Sequence, residues 1–87
     1  MPDLVAEMRG DLRDNPLRRE FVVLKKAWSY WAKGNELFYY YDDHADLDSK
    51  LQVLQSLGFV RDITYNNTKR FIFADHFVDW LLGERDV

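Results

Sequence analysis

The chain has 87 residues, a length that fits one hydrophobic core and leaves no room for a second. Apolar residues make up 47% and aromatic residues 16%, which excludes a disordered chain, and the absence of cysteine excludes disulfides and thiolate zinc sites. The net charge of −3 also argues against a strongly basic nucleic-acid-binding domain.

No stretch reaches the roughly 18 apolar residues that a membrane span requires, and the N-terminus lacks the basic and apolar pattern of a signal peptide. We therefore expect a cytoplasmic protein with no membrane partner. The charges are distributed unevenly. Residues 9–33 carry seven Lys or Arg, whereas residues 36–48 carry five acids and no Lys or Arg.

The N-terminal segment is predicted to form a marginal helix over 3–13, because Leu4, Met8 and Leu12 recur at helical spacing. Gly10 weakens this helix by about 1 kcal/mol relative to alanine. We assign residues 1–14 to a marginal N-terminal helix or arm, 15–83 to the domain, and 84–87 to a frayed tail.

Residues 17–33 are predicted to form the longest helix, which ends at Gly34. Apolar side chains recur there at intervals of 4, 3, 4 and 3, and this stripe outweighs the strand propensity of residues 20–23. The spacing also fits a seam between two copies of the helix, so a homodimer through residues 17–31 is an open alternative. The stripe consists of Leu17, Phe21, Leu24, Trp28 and Trp31. We expect its two tryptophans, together with Trp80, to lie in the core.

Residues 35–41 fit either a short helix capped by Asn35 or a strand, since their aromatic run has strand propensity. The helix is favoured because a turn at 42–46 and a further helix follow. That helix is predicted over 47–57, with Asp46 as its cap, Gly58 as its end and leucines 47, 51, 54 and 57 facing the core.

A β-hairpin is predicted next, with strands at 59–65 and 69–74 around an Asn66–Asn67 turn. A strict two-residue turn would place Phe71 opposite Asp62. We therefore expect a bulge or a longer loop instead of that register. A last helix is predicted to be capped by Asp75 and to stop at Gly83, with Phe77, Val78, Leu81 and Leu82 as its apolar side.

The stretch 47–60, LDSKLQVLQSLGFV, resembles the recognition-helix end of winged helix-turn-helix proteins, and the likeness is best over residues 47–74. It implies an α+β winged-helix domain with three to four helices and a hairpin in the C-terminal half. It also implies that outward residues of the helix and of the wing contact DNA, namely Ser49, Lys50, Gln52, Gln55, Asn67, Lys69 and Arg70.

The sequence departs from this family where a DNA-binding helix would begin. Asp46 and Asp48 stand at the start of the helix, and Asp42 and Asp43 precede it, so four carboxylates would face a phosphate backbone. The aromatic run 38–41 cannot be wholly buried either in a helix or in a strand. Exposed aromatic side chains are common anchors for protein partners.

We therefore predict a non-enzymatic protein-interaction module that belongs to a larger assembly. Its partner-binding residues are predicted to be Tyr39, Tyr40, Asp42 and Asp43. The alternative is a DNA-binding transcriptional regulator that uses the 47–57 helix and the 65–70 wing. No catalytic, cofactor or metal site is predicted, because the chain has no recognised catalytic motif and its acidic turn departs from the calcium-loop pattern.

Overall fold

The computed structural model describes residues 2–28, 36–64 and 68–83 of the chain. Among these residues it has three helices and four strands, so the predicted α+β class is confirmed while the number of strands is larger than expected. The elements in chain order are α1 (Pro2–Asp14), β1 (Glu20–Leu24), β2 (Glu36–Tyr40), α2 (Leu47–Ser56), β3 (Val60–Asp62), β4 (Lys69–Phe73) and α3 (Asp75–Gly83).

The four strands form one mixed sheet in the order β2-β1-β4-β3. Strands β1 and β2 run parallel, with Phe21 beside Leu37, whereas β4 runs antiparallel to both β1 and β3. Phe21 lies at the centre of the sheet face that carries the core. Its ring centroid is 5.1 Å from that of Tyr39, 5.3 Å from that of Phe71 and 4.9 Å from that of Phe73.

All three helices contribute to this core. Helix α1 buries Leu4, Met8 and Leu12, as its spacing predicts, and packs against α3. The Arg9 side chain donates a hydrogen bond to the Leu81 carbonyl, with 3.0 Å between Nε and O, which holds the two helices together. The marginal N-terminal helix is therefore part of the packed core.

The prediction of a helix over 17–33 is wrong for the described part of that range, because residues Glu20–Leu24 form strand β1. Four consecutive side chains of β1, from Phe21 to Leu24, are buried. Because the side chains of a strand alternate between its two faces, both faces of β1 are buried. Strands of this kind appear in the sequence as continuous apolar runs. The helical stripe was coincidental, for Leu17 is 90% exposed and Trp28 is 52% exposed.

The alternative of a homodimer required a helix over residues 17–31. Because β1 occupies part of this range, a helical dimer seam there is wrong. Trp31, Gly34 and Asn35 lie outside the described residues. The favoured helix over 35–41 is wrong as well, and the strand alternative is correct, because Glu36–Tyr40 form β2 beside β1. Residues 17–28 and 36–41 therefore form none of the helix that a winged-helix arrangement would place there.

The prediction for residues 47–57 agrees with α2, which buries Leu47, Leu51 and Leu54. Leu57 is an exception, since it lies at the end of the helix with 57% of its surface exposed. Asp46 occupies the cap position, but it has a φ of 54° and its side chain makes no capping hydrogen bond. Gly58 ends the helix with a φ of 77°, a left-handed conformation that glycine adopts without steric cost.

The register of the hairpin is the one that the sequence argument rejected. Val60 pairs with Phe73, and Asp62 pairs with Phe71, as a strict two-residue turn would place them. The pairing of Asp62 with a buried phenylalanine is tolerated because β3 lies at the edge of the sheet. There the Asp62 carboxylate remains exposed and accepts a hydrogen bond from the Thr64 backbone N–H at 2.8 Å.

Candidate interaction surface

The predicted partner-binding residues lie at one end of the sheet. Because β1 and β2 are parallel, their C-terminal ends meet at the same edge, and the Tyr41 backbone N–H donates to the Leu24 carbonyl at 2.9 Å. The segments that follow the two strands, residues 25–28 and 41–43, are therefore neighbours. We call the side chains that they and β2 present here the sheet-end surface, which comprises Lys26, Trp28, Tyr40, Tyr41, Asp42 and Asp43.

Aromatic rings form the apolar part of this surface. The Trp28 ring, which is 52% exposed, packs edge-on against Tyr41 with 6.2 Å between ring centroids. Tyr40 stacks on Phe38 at 6.5 Å and is half-buried. Burying Trp28 in the core was the wrong expectation, because β1 ends four residues before it. Trp28 is therefore a half-exposed aromatic side chain beyond the end of β1.

Charged groups lie close to these rings. The Lys26 ammonium is 2.9 Å from the Asp43 carboxylate and 5.7 Å from the centre of the Tyr40 ring, a cation–π distance. The Lys25 ammonium lies 5.8 Å from the centre of the Trp28 ring. The hydrogen bond to Asp43 raises the pKa of Lys26, so this lysine keeps its charge. Asp42 is exposed and makes no ion pair with any described residue.

Polar contacts also link the sheet-end surface to α2. The Tyr41 hydroxyl donates to Asp48 of α2 at 3.1 Å, and the Lys69 ammonium binds the same carboxylate oxygen at 3.1 Å. Burial, followed by the Asp48 contact, raises the pKa of Tyr41, and the hydrogen bond to Asp48 raises that of Lys69. These contacts thus hold the Tyr41 ring in place.

Tyr39 is a correction to the predicted site. Its side chain points to the core face of the sheet and is 0% exposed, because it alternates with the outward Phe38 and Tyr40 along β2. No partner can contact it in the folded protein. Tyr40, Asp42 and Asp43 remain accessible, and their role in partner binding remains a prediction.

The Tyr39 hydroxyl has an unusual environment, since it is buried near the Asp11 carboxyl of α1 and has no hydrogen-bond partner of regular geometry among the described residues. Burial raises its pKa well above the ordinary tyrosine value, and the negative charges of Asp11 and Glu7 on α1 add to this effect. Burial also raises the pKa of the Asp11 carboxyl. Ionisation of Tyr39 is therefore strongly disfavoured in the folded state.

This environment predicts a loss of stability in alkali. A tyrosine ionises near pH 10 in the unfolded chain, and Tyr39 ionises at higher pH in the folded protein. The contribution of Tyr39 to stability is therefore complete below about pH 10 and is lost progressively above it. The loss should amount to about 1.4 kcal/mol per pH unit. We expect the stability of Tyr39→Phe relative to the native protein to increase progressively above pH 10, because phenylalanine has no group that ionises.

Denaturant unfolding between pH 7 and pH 11 measures both stabilities. Tyr41 is present in both proteins, so the difference between their curves isolates Tyr39. If the unfolding free energies of the two proteins change with pH in the same way across the alkaline range, the raised pKa of Tyr39 is contradicted.

The residues predicted for DNA contact divide into two groups. Ser49, Gln52 and Gln55 are exposed on α2, and Lys50 is half-buried. Asn67 lies outside the described residues. Lys69 binds Asp48, so one of the two basic residues of the predicted wing is directed toward α2.

Arg70 is part of a charge cluster on the sheet face opposite the core. Its guanidinium lies 2.8 Å from Glu20 and 3.3 Å from Glu36, and its side chain is only 15% exposed. The Glu36 side chain is fully buried. A buried carboxylate requires a cation nearby, so Arg70 has a structural role in the sheet and is not positioned as a phosphate contact.

Sequence reasoning missed one polar contact between α1 and the turn before α2. The His44 Nε2 atom lies 2.5 Å from the Glu7 carboxylate, and the His44 side chain is 5% exposed. This contact joins the N-terminal helix to the sheet-end region. Within residues 2–28, 36–64 and 68–83, no group of three histidine or acidic side chains is arranged to hold a metal ion. None of the helices described there is long and apolar enough to cross a membrane.

No protein-family model, curated protein or solved structure matches the chain. Its function must therefore follow from its own residues.

Proposed function

We propose that this chain is a non-enzymatic protein-interaction module and that the sheet-end surface binds its partner. The observation that carries the proposal is the exposure of Trp28, which is 52% accessible and packs against Tyr41 at the end of two parallel strands. A tryptophan in this position loses little conformational freedom when a partner covers it, because the sheet already fixes its neighbours.

The polar residues around Trp28 and Tyr40 support the same proposal. Interfaces that form and dissociate combine a few aromatic anchors with a polar, hydrated rim. Here the rim consists of Asp42, Asp43 and Lys26, all of which are exposed. The surface lies at the ends of β1 and β2 and on the turn that follows β2.

The finer winged-helix interpretation is kept for residues 47–74, where helix, glycine and hairpin follow one another. We infer that this unit serves as a scaffold, with Asp48 of α2 and Lys69 of β4 binding each other and holding Tyr41. Binding of duplex DNA through α2 is the alternative function. Its support is the exposed row of Ser49, Gln52 and Gln55, and against it stand the aspartates at the start of the helix. A cytoplasmic location and a role within a larger assembly remain part of the proposal.

The test compares affinity capture by the native chain and by three single variants. Proteins bound by the native chain should be lost with Trp28→Ala and with Tyr40→Ala, and retained with Trp80→Ala. Trp80 is a matched control, because it is 51% exposed and lies on α3, where its ring stacks on Phe77 and not on a residue of the sheet-end surface. Circular dichroism and unfolding curves establish that all three variants remain folded.

A titration with duplex DNA separates the two functions. The protein-interaction proposal predicts no tight binding at physiological salt. Submicromolar binding that weakens steeply with salt and is lost in Lys50→Glu would establish the DNA alternative. Equal capture of the same proteins by the native chain and by the Trp28 variant would contradict the proposed surface.

A further inference from the structure

Strand β3 lies at one edge of the sheet and has backbone groups that face away from β4. The Ile63 N–H donates to the Arg70 carbonyl at 2.8 Å, which directs the backbone of every second residue of β3 toward β4. The N–H and C=O groups of Val60 and Asp62 therefore point to the outer side, where no described strand pairs with them. An edge of this kind accepts the main chain of an extended peptide.

A cavity of about 520 Å³ adjoins the start of this edge. Both strands of the hairpin, the end of α2 and the start of α3 contribute to its lining. Its apolar part consists of Val60, Ile72, Phe73 and Ala74. Because ligand pockets commonly have about this volume, the cavity has room for a side chain of a peptide that follows β3.

Arg61 contributes a positive charge both to the edge and to the cavity lining. It is exposed, and its guanidinium makes no hydrogen bond or ion pair within residues 2–28, 36–64 and 68–83. The nearby acids have other partners. The Asp62 carboxylate accepts a hydrogen bond from the Thr64 N–H at 2.8 Å, and the Asp75 carboxylate lies 3.8 Å from the Arg19 guanidinium. Arg61 is thus complementary to an incoming carboxylate.

The register of the hairpin determines which residue of an added strand would face Arg61. Arg61 is paired through its backbone with Ile72 of β4, so toward an added antiparallel strand it occupies a non-hydrogen-bonded position. Directly opposed residues approach closely at such a position, with about 4.5 Å between their Cα atoms. Opposite charges there attract and like charges repel, so an acidic residue is favoured over a lysine.

We propose that the edge of β3 binds an extended segment of a partner protein as an antiparallel strand with an aspartate or glutamate opposite Arg61. The backbone groups of Val60 and Asp62 select an extended main chain, Arg61 selects the acid, and the cavity takes a neighbouring apolar side chain. This docking surface goes beyond the proposed function, because it shares no residue with the sheet-end surface.

Three capped peptides of the sequence Thr-Val-X-Val-Thr test this chemistry, with glutamate, glutamine or lysine at X. Each is titrated into isotopically labelled native protein, and the backbone N–H signals of Val60 and Asp62 report binding. We expect the glutamate peptide to shift both signals and to bind at least about fivefold more tightly than the lysine peptide, with glutamine between them. A glutamate peptide methylated on both valine nitrogens should not bind, because it cannot donate the main-chain hydrogen bonds.

Charge reversal assigns the preference to one side chain. Arg61→Glu should bind the lysine peptide more tightly than the glutamate peptide, since the sign of the opposed charge is inverted. Arg13→Glu is the matched control, because Arg13 is also exposed but lies on α1, and it should keep the native order of affinities. Trp28→Ala should bind the glutamate peptide as the native protein does. Circular dichroism establishes that the three variants are folded.

Four outcomes would overturn the inference. They are equal affinity for the three peptides, an unchanged preference in Arg61→Glu, absence of binding by every peptide, and loss of binding in Trp28→Ala, which would place the peptide on the sheet-end surface. Shifts of the Val60 and Asp62 signals on concentrating the native protein alone would assign the edge to a second copy and also overturn it. The proposed function is tested separately by partner capture with the Trp28 and Tyr40 variants.

Discussion

Replacing Phe21 by alanine is expected to lower the free energy of unfolding by about 3–5 kcal/mol, the usual cost of removing a buried phenylalanine ring. Phe21 is 0% exposed and contacts the rings of Tyr39, Phe71 and Phe73, which come from both neighbouring strands. A domain of this length is typically stable by only about 4–13 kcal/mol, so the substitution removes a large share of the stability. Chemical denaturation monitored by tryptophan fluorescence measures the loss.

Leu17→Ala is the matched control for this prediction. Leu17 and Phe21 would lie on one buried face if residues 17–33 formed a helix, and both substitutions would then be costly. In strand β1 only Phe21 is buried, while Leu17 lies before the strand with 90% of its surface exposed. We expect Leu17→Ala to change stability by less than about 0.5 kcal/mol. A large loss in both variants would contradict the position of β1.

The second large effect is expected from Arg70→Met, which should destabilise the protein by about 3 kcal/mol. The substitution removes the guanidinium that faces the buried Glu36 carboxylate and the half-exposed Glu20 carboxylate. A buried carboxylate that loses its cation retains its desolvation cost without the compensating attraction. Urea unfolding of the native and variant proteins at pH 7 gives the difference.

Two further variants serve as controls for this measurement. The double variant Glu36→Met with Arg70→Met should recover most of the lost stability, because both charges are then absent. Lys69→Met, which breaks an exposed ion pair with Asp48, should cost less than about 1 kcal/mol. If Arg70→Met costs no more than Lys69→Met, the buried cluster does not hold the sheet as described.

DNA binding should therefore be tested at Lys50, because charge reversal at Arg70 would unfold the domain.

The part of the fold that could be predicted from the sequence is the part that local signals determine. Gly58 marks the end of α2 through its left-handed conformation, and the leucine spacing of α2 identifies its buried side. Strand β1 could not be predicted in the same way. Its four buried residues depend on β2 and β4 on either side of it, and one of those strands lies about 50 positions later in the chain.

The hairpin register shows a related limit. The sequence argument rejected the pairing of Asp62 with Phe71 because it assumed that directly opposed residues share the same environment. Phe71 is buried because β4 is a central strand and its ring stacks on Phe21, whereas Asp62 lies on the edge strand. Position within the sheet, which cannot be read from a single hairpin, determines which of the two residues is covered.

The candidate site was predicted in part. The acidic turn and Tyr40 lie where the sequence placed a partner-binding region, since a run of aromatic residues followed by aspartates cannot all be buried. Tyr39 could not be separated from Tyr40 without the strand register. Trp28 was assigned to the core because its spacing fitted a helix, so its exposure was not predicted.

The pairing of β3 has a consequence for edge-to-edge self-association. Hydrogen bonds from Ala74 to Phe59 and from Ile63 to Arg70 direct the backbone groups of Val60 and Asp62 toward the open edge of the sheet. A second copy that paired antiparallel with all three residues of β3 would have to be centred on Arg61. Two guanidinium groups would then stand directly opposite each other, and like charges in that position repel. One arginine in a three-residue strand thus disfavours this edge-to-edge pairing of two copies through β3.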